Sequence, residues 1–183
     1  TNLFANTYSL TALDLNNCRV DTSFIIVEPD VGLSNVFSVS HVSCNGFYDG
    51  NIFSNVSGGT APYQYVWANS SYALSTTSSG LSNFPADNYF LEITDNNGCK
   101  LYDTTNIIEP TMLWDTLIGV DILCKGESTG EINSIISGGT PPYSYSWDNG
   151  ASSQNLQFLS AGNYQLQIND FNNCQLTDSI ILN

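Results

Sequence analysis

The chain has 183 residues, 42% of them hydrophobic and 12% aromatic, enough for one large or two small packed domains. Seventeen acidic residues stand against three cations, Arg19, Lys100 and Lys125, and the formal net charge of −14 repels nucleic-acid phosphates and anionic lipid. No apolar run approaches the roughly 20 residues of a membrane span and nothing reads as a signal peptide, so neither nucleic acid nor membrane insertion is expected.

Chemistry has little to work with. Five cysteines in a chain almost without lysine point to an extracellular protein, and no pair has CxxC spacing. The single histidine, His41, lies in the strand-like run FSVSHVS, which leaves a Ser or Cys nucleophile without an evident base and effectively excludes zinc. No enzyme is expected.

In chain order, the first 31 residues read as the end of something larger. Ala5-Asn-Thr-Tyr8, then Asp14 and Cys18, then Glu28-Pro29, reappear as Ala86-Asp-Asn-Tyr89, Asp95, Cys99 and Glu109-Pro110. Residues 1–31 are therefore expected to be the C-terminal strands of a truncated preceding module. Residues 32–112 form a first complete repeat, and residues 113–183 a second. Val36 to Ser43 and Ile52 to Val56 are strand-like. Tyr63, Tyr65 and Trp67 share one face of an alternating run, and Tyr89, Leu91 and Ile93 share one face of another. In the second repeat Tyr143, Tyr145 and Trp147 do the same. Gly58-Gly59, Asn97-Gly98 and Asn149-Gly150 mark turns between strands.

The two repeats can be read against each other. SGGTAPYQYVWANS at 57–70 returns as SGGTPPYSYSWDNG at 137–150, and Cys44-Asn-Gly returns as Cys124-Lys-Gly. The offset is 80 residues early in the repeat and 75 later, so one loop differs by five residues. About seven short strands in roughly 80 residues, without a helical period, predict an all-β fold of tandem immunoglobulin-like (PKD-like) β-sandwich modules. The recurring glycine pair lacks the lysine and helix of a phosphate loop and reads as a strand connection. The recurring tryptophans suit a sandwich core better than a sugar platform. Trp114, outside the repeat pattern, either seats one module on the next or begins a strand.

SGGTPPYSYSWDNG, followed by LSAGNYQLQINDFNNC and a Glu-Pro end, resembles the SprB repeat of Bacteroidota gliding-motility adhesins, and the PYxYxW strand resembles PKD-type immunoglobulin-like domains. The resemblance implies a long secreted surface protein of tandem modules, exported by type IX secretion. It also implies O-glycosylation at Asp-Ser/Thr triplets, which here would modify Thr104, Thr116 and Ser179. The expected partners are neighbouring modules of the same longer chain and a surface polysaccharide or other adhesion target. A carbohydrate-binding accessory module of a polysaccharide-degrading enzyme, and a self-assembling filament subunit, are the alternative readings.

Two questions stay open in the sequence. Asp14, Asp95 and Asp170 each end a strand beside asparagines, as calcium ligands at module junctions do; ordinary Asx-turn chemistry accounts for them too, and no other cofactor is expected. The cysteines allow two schemes. Pairing within repeats joins Cys44 to Cys99 and Cys124 to Cys174, with Cys18 pairing outside the fragment. Pairing across the junction joins Cys44 to Cys174, because the first and last hairpin turns of a sandwich lie at opposite ends.

Overall fold

The computed structural model describes residues 3–28 and 31–183; Pro29, of the first Glu-Pro pair, lies outside them. The described chain is built of strands β1 to β14, all paired antiparallel. It opens with a hairpin, β1 (Asn6–Leu13) and β2 (Arg19–Ile26), paired from Asn6↔Ile26 to Leu13↔Arg19.

Two sandwiches of like topology follow. In the first, β3 (Ser34–Ser40), β4 (Gly50–Ser57) and β6 (Gly80–Phe84) form one sheet in the order β3-β4-β6. The facing sheet is β5 (Gln64–Asn69), β7 (Asp87–Thr94) and β8 (Lys100–Ile107), in the order β5-β7-β8. The second repeats this with β9 (Trp114–Val120), β10 (Gly130–Ser137) and β12 (Leu156–Leu159) against β11 (Ser144–Trp147), β13 (Gly162–Asn169) and β14 (Gln175–Leu182). Each sandwich thus has six strands rather than about seven. After β5 the chain makes only an isolated bridge, Ala68↔Ala73, because the Ser/Thr-rich run up to Gly80 has no apolar alternation to bury. The five extra residues of the first repeat fall in this connection.

Alternation decides which side chains go inside. Along β7, Tyr89, Leu91 and Ile93 are buried, and Trp67 of β5 lies fully buried against them with Ile52 of β4 and Ile107 of β8. The counterpart core is Ile132, Trp147, Leu166, Ile168 and Leu182. Burying a large side chain of this kind contributes about 1.5–3 kcal/mol. Both indole N–H groups are satisfied inside, Trp67 donating to the Ser78 carbonyl and Trp147 to that of Ser153, each at 2.9 Å. The two tryptophans are therefore core residues and present no face to a sugar. Trp114 begins β9 and is 58% exposed.

A tyrosine near the start of the strand that leads into the last hairpin ties each unit down. Tyr89 donates to the Pro85 carbonyl at 2.8 Å, and Tyr164 to that of Ser160 at 2.9 Å, each four residues back. Burial pushes the Tyr89 hydroxyl up to about 12, so it stays a donor at any physiological pH. Tyr8 makes the same bond to Phe4 at 2.9 Å. The β1–β2 hairpin thereby corresponds to β7–β8 and β13–β14, the last two strands of a sandwich. Its Leu10 and Phe24, on the face that is core in the other two units, are exposed.

Candidate functional site: the inter-module junction

The site is built at the place where the base of the first sandwich meets the top of the second. Four short segments converge there: the β3–β4 turn around Cys44, the connection 108–113, the Gly138-Gly139-Thr140 loop and the β13–β14 turn ending at Cys174.

The β13–β14 turn is shaped by Asp170. Its Oδ1 accepts the N–H groups of Asn172 (2.9 Å) and Cys174 (2.8 Å), and its Oδ2 accepts that of Thr140 at 2.8 Å. The Asn173 backbone takes φ 64°, a left-handed step that asparagine tolerates well. Asp95 does the same in the first sandwich with Asn97, Cys99 and Thr60, at 2.9, 2.8 and 2.9 Å. The N–H of Thr60, followed by those of Cys99 and Asn97, holds the Asp95 carboxyl below its ordinary range despite its burial. Asp14 accepts from Asn16 and Cys18 at 2.8 and 2.9 Å, and these bonds lower its pKa as well. All three aspartates thus serve as turn acceptors. Calcium at Asp95 or Asp170 would have to compete with three N–H donors, and at Asp14 with two. Among the described residues no three His, Cys, Asp or Glu side chains come together as metal ligands would.

The GGT loop is the other half of the sandwich top. Tyr143 Oη donates to the Gly138 carbonyl at 2.6 Å, as Tyr63 does to Gly58 at 2.7 Å. Gly139 N–H donates to the Thr111 carbonyl at 2.8 Å, which ties the incoming connection to the loop. Gly138 sits at φ 72°, and a Cβ there would overlap the Met112 carbonyl oxygen. The recurring SGGTxPY stretch is therefore the part of each sandwich that grips the segment arriving from the unit before it. The same loop in the first sandwich takes the Val31 carbonyl through Gly59 N–H at 2.9 Å.

Across the junction, Cys44 and Cys174, 130 positions apart in sequence, form a disulfide with Cα atoms 5.6 Å apart. Beside it Asn172 Nδ2 donates to the Ser43 carbonyl at 2.9 Å. The connection is fastened to the base of the first sandwich: Asn45 Nδ2 donates to the Pro110 carbonyl at 3.1 Å, Gly46 N–H to Glu109 Oε2 at 2.6 Å, and Val42 N–H to the Ile108 carbonyl at 3.1 Å. The Ser43 hydroxyl and N–H bond to Asp49, hold its carboxyl below the usual range and stiffen the turn that carries Cys44. Cys44 is 5% and Cys174 9% exposed, whereas Cys18, Cys99 and Cys124 carry free, exposed thiols. The within-repeat pairs Cys44–Cys99 and Cys124–Cys174 are not made, because the two turns of one sandwich lie at its opposite ends.

His41 Nδ1 accepts the Ile108 N–H at 3.3 Å, a bond at the foot of the junction. Thr104, Thr116 and Ser179 all face solvent on outer strands, each following an aspartate that alternation turns inward.

A family model, SprB repeat, matches residues 36–71 and again residues 116–152. The chain carries two SprB repeats. Each match runs from the first strand of a sandwich, through the GGT loop, to just past its core tryptophan. No curated protein matches the chain. Among solved structures, three N-terminal domains of the Highly Immunogenic Outer Capsid protein (Hoc) of bacteriophage RB49 match with a TM-score of 0.52 at 10% identity, over 82% of this chain and 59% of that one. A C-terminal intimin fragment in complex with the intimin-binding domain of its translocated receptor matches at TM-score 0.42 and 16% identity, over 80% of this chain and 64% of that one. The chain thus spans less than two thirds of the length of either. At such identity the likeness is one of fold, and the Hoc match carries it: the SprB repeats here are tandem immunoglobulin-like sandwiches.

The sequence singles out Cys44 and Cys174 but leaves their pairing open, and it passes over Asn172. The signal for that residue is present, since Asn16, Asn97 and Asn172 all stand two positions after the turn aspartate.

Proposed function

We propose that the chain is a repeat segment of a long cell-surface adhesin or stalk, working by geometry rather than by catalysis. The observation that carries this reading is the Cys44–Cys174 disulfide. It joins two modules by a bond that neither needs for its own core, so its effect is to restrict how one moves on the other. A module whose strands run up to eight residues along the axis adds roughly 25–30 Å of reach. Stability in such an array is a sum of module and nearest-neighbour contributions, and each staple adds to the second kind. The charge of −14 keeps arrays from clumping in bulk water.

On this reading residues 1–31 are the last strands of a preceding module, and 32–112 and 113–183 are the two that follow. The exposed hydroxyls of Thr104, Thr116 and Ser179 are sites for O-linked glycan. The SprB repeat supports placement at the cell surface, with export by type IX secretion and a role in gliding attachment as the finer form of the proposal.

The test is stiffness. Fluorophores placed by non-cysteine chemistry at Thr104 and Ser179, one on each module, report the inter-module distance distribution. A narrow distribution that broadens on reduction supports a stapled spacer. Equal widths before and after reduction would remove the rod from the proposal.

A further inference from the structure

Side chains that alternation turns outward from the β3-β4-β6 sheet form two rows across its three strands. One row is Ser38, Phe53 and Gly80, the other Ser40, Asn51 and Ser82, each directly opposite its neighbour in register. The rows line an open groove of about 490 Å³, within the range of small-ligand sites.

Gly80 makes room for it. Its φ is not left-handed, so what matters is the missing side chain. A Cβ there would lie 2.7 Å from the Ile52 carbonyl oxygen and 3.2 Å from Phe53 Cδ2. The Phe53 ring thus leans over the glycine, a contact that steadies it while the residue stays 53% exposed. The polar groups beside the ring are set as well. Asn55 Nδ2 donates to Ser38 Oγ at 3.1 Å, and Asn51 Nδ2 to the Asp49 carbonyl at 2.9 Å, which leaves Asn51 Oδ1 as an acceptor. Ser40 and Ser82 present exposed hydroxyls on either side of Asn51, each able to donate and to accept. No lining residue is charged, and Arg19, Lys100 and Lys125 all lie elsewhere.

The second sandwich shows what the fold itself requires of this face. Core positions recur, Ile52 as Ile132, Trp67 as Trp147 and Leu81 as Leu156. All six groove positions differ. Ile118 and Val120 stand in place of Ser38 and Ser40, Glu131 and Asn133 in place of Asn51 and Phe53. Asn155 and Gln157 flank Leu156 as Gly80 and Ser82 flank Leu81. Asn155 fills the place that the glycine leaves open, its Oδ1 accepting the Ser134 N–H at 3.1 Å. The sheet folds without the ring, the glycine or the serines, so the groove is not a by-product of the fold.

We infer that this groove is a binding site for a neutral glycan, with one sugar ring against Phe53 and its hydroxyls paired to Ser40, Asn51 and Ser82. The face of the aromatic ring carries partial negative charge and attracts the polarised C–H groups of a sugar's apolar side. Sugar hydroxyls donate and accept, as the serines do. A glycan bearing carboxylate or sulfate would enter the field of a −14 chain and find no cation in the groove. An apolar side chain from a protein partner would leave the serines and Asn51 without partners. The inference deepens the adhesin reading by naming the class of target, and rests on that reading only for its biological role.

Affinity electrophoresis of the full chain tests it, in native gels cast with dextran, galactomannan or laminarin and, as the acidic control, alginate. At least one neutral polymer should retard the chain, and alginate should not. Phe53→Asn should weaken the retardation at least about tenfold, through loss of the apolar contact. Ser40→Val should weaken it about fivefold, the worth of one hydrogen bond. Both variants give the first module a side chain that the second already carries at that place, and their denaturation midpoints separate lost binding from lost folding. Asn133→Ala, on the second module, should change nothing. No retardation by any neutral polymer, equal retardation by alginate, or retardation indifferent to both Phe53→Asn and Ser40→Val would each overturn the inference. So would a wild-type dimer in sedimentation that Phe53→Asn abolishes, since the face would then pack on a second copy. Inter-module distances are read separately, so an empty groove leaves the stapled spacer standing, and a loose junction leaves the groove.

Discussion

Asn172 and Ser43 lie 129 residues apart in sequence, yet the Asn172 amide donates to the Ser43 carbonyl at 2.9 Å, next to the disulfide that joins the two sandwiches. The same amide is also within 3.2 Å of Thr140 Oγ1, so one side chain ties the last turn of the second sandwich to its own GGT loop and to its neighbour.

Replacing this residue tests whether the junction has a polar lock besides its covalent one. Asn172→Ala should leave both cores intact and cost about 1 kcal/mol at the junction, the net worth of one such bond. Hydrogen exchange of the backbone around 41–49 and 170–174 should speed up, while that of β4 and β13 stays as it was. Unchanged exchange at the junction would mean that the disulfide alone sets its stability.

Removing the disulfide has a larger effect. The loop it closes is long, and loop-closure entropy puts its contribution at about 5 kcal/mol, less any loss from structure retained in the unfolded chain. In the Cys44→Ser, Cys174→Ser double variant both modules should still fold, because neither cysteine belongs to the two apolar clusters. The midpoint of chemical denaturation should fall, and the two modules should unfold as separate transitions. A single transition at the wild-type midpoint would contradict the role assigned to the staple.

The glycine that faces the incoming connection is a third point of control. At Gly138 an added methyl group would be strained by the left-handed backbone and would overlap the Met112 carbonyl. Gly138→Ala should destabilise the second module by about 2 kcal/mol or more, the left-handed penalty plus the cost of displacing the connection. Gly150→Ala, at φ 88° but with no neighbour within 4 Å of the added atom, isolates the backbone part of that cost. Equal effects at the two positions would show that the contact with Met112 contributes nothing.

What could be read in the sequence follows period two. Tyr63, Tyr65, Trp67 and Tyr89, Leu91, Ile93 announce their strands and their inward faces because alternation on a half-buried sheet leaves that trace. The Ser/Thr-rich segment before Gly80 offers no such trace, and the expected seventh strand is not there. The disulfide was undetermined for a different reason. Sequence places Cys44 and Cys174 in turns, but which ends face each other is a property of how two sandwiches stack, held by contacts such as Asn45 to Pro110 that have no periodic signature. Asn172 escaped notice because an asparagine in an Asp-x-Asn-x-Cys turn looks sufficiently explained by the turn.

One difference between the two modules carries a pH prediction. In the first, Asn35 Oδ1 accepts the buried Ser54 hydroxyl at 2.7 Å, while its Nδ2 donates to Asp103 at 2.8 Å. The second module has Asp115 at that position and Asp178 where Asp103 stands. Asp115 Oδ1 accepts from Ser134 at 2.8 Å, but its Oδ2 is buried without a partner. Burial, with a smaller contribution from the Asp178 charge, pushes the Asp115 carboxyl above its ordinary value of 3.8. A carboxyl raised in the folded state binds a proton more readily there than in the unfolded chain. The second module therefore loses stability as pH rises from about 3.8 through the folded value, and the full loss is present at pH 7. Asp115→Asn supplies the missing donor and removes the charge. It should stabilise the second module at pH 7 by about 1–2 kcal/mol, the usual cost of a buried polar group left without a partner. The gain should shrink as pH falls below 4, where Asp115 is itself protonated and able to donate. Denaturation of the two chains at pH 7 and pH 3.5 checks this, and a gain independent of pH would show that shape rather than charge separates Asp115 from Asn35.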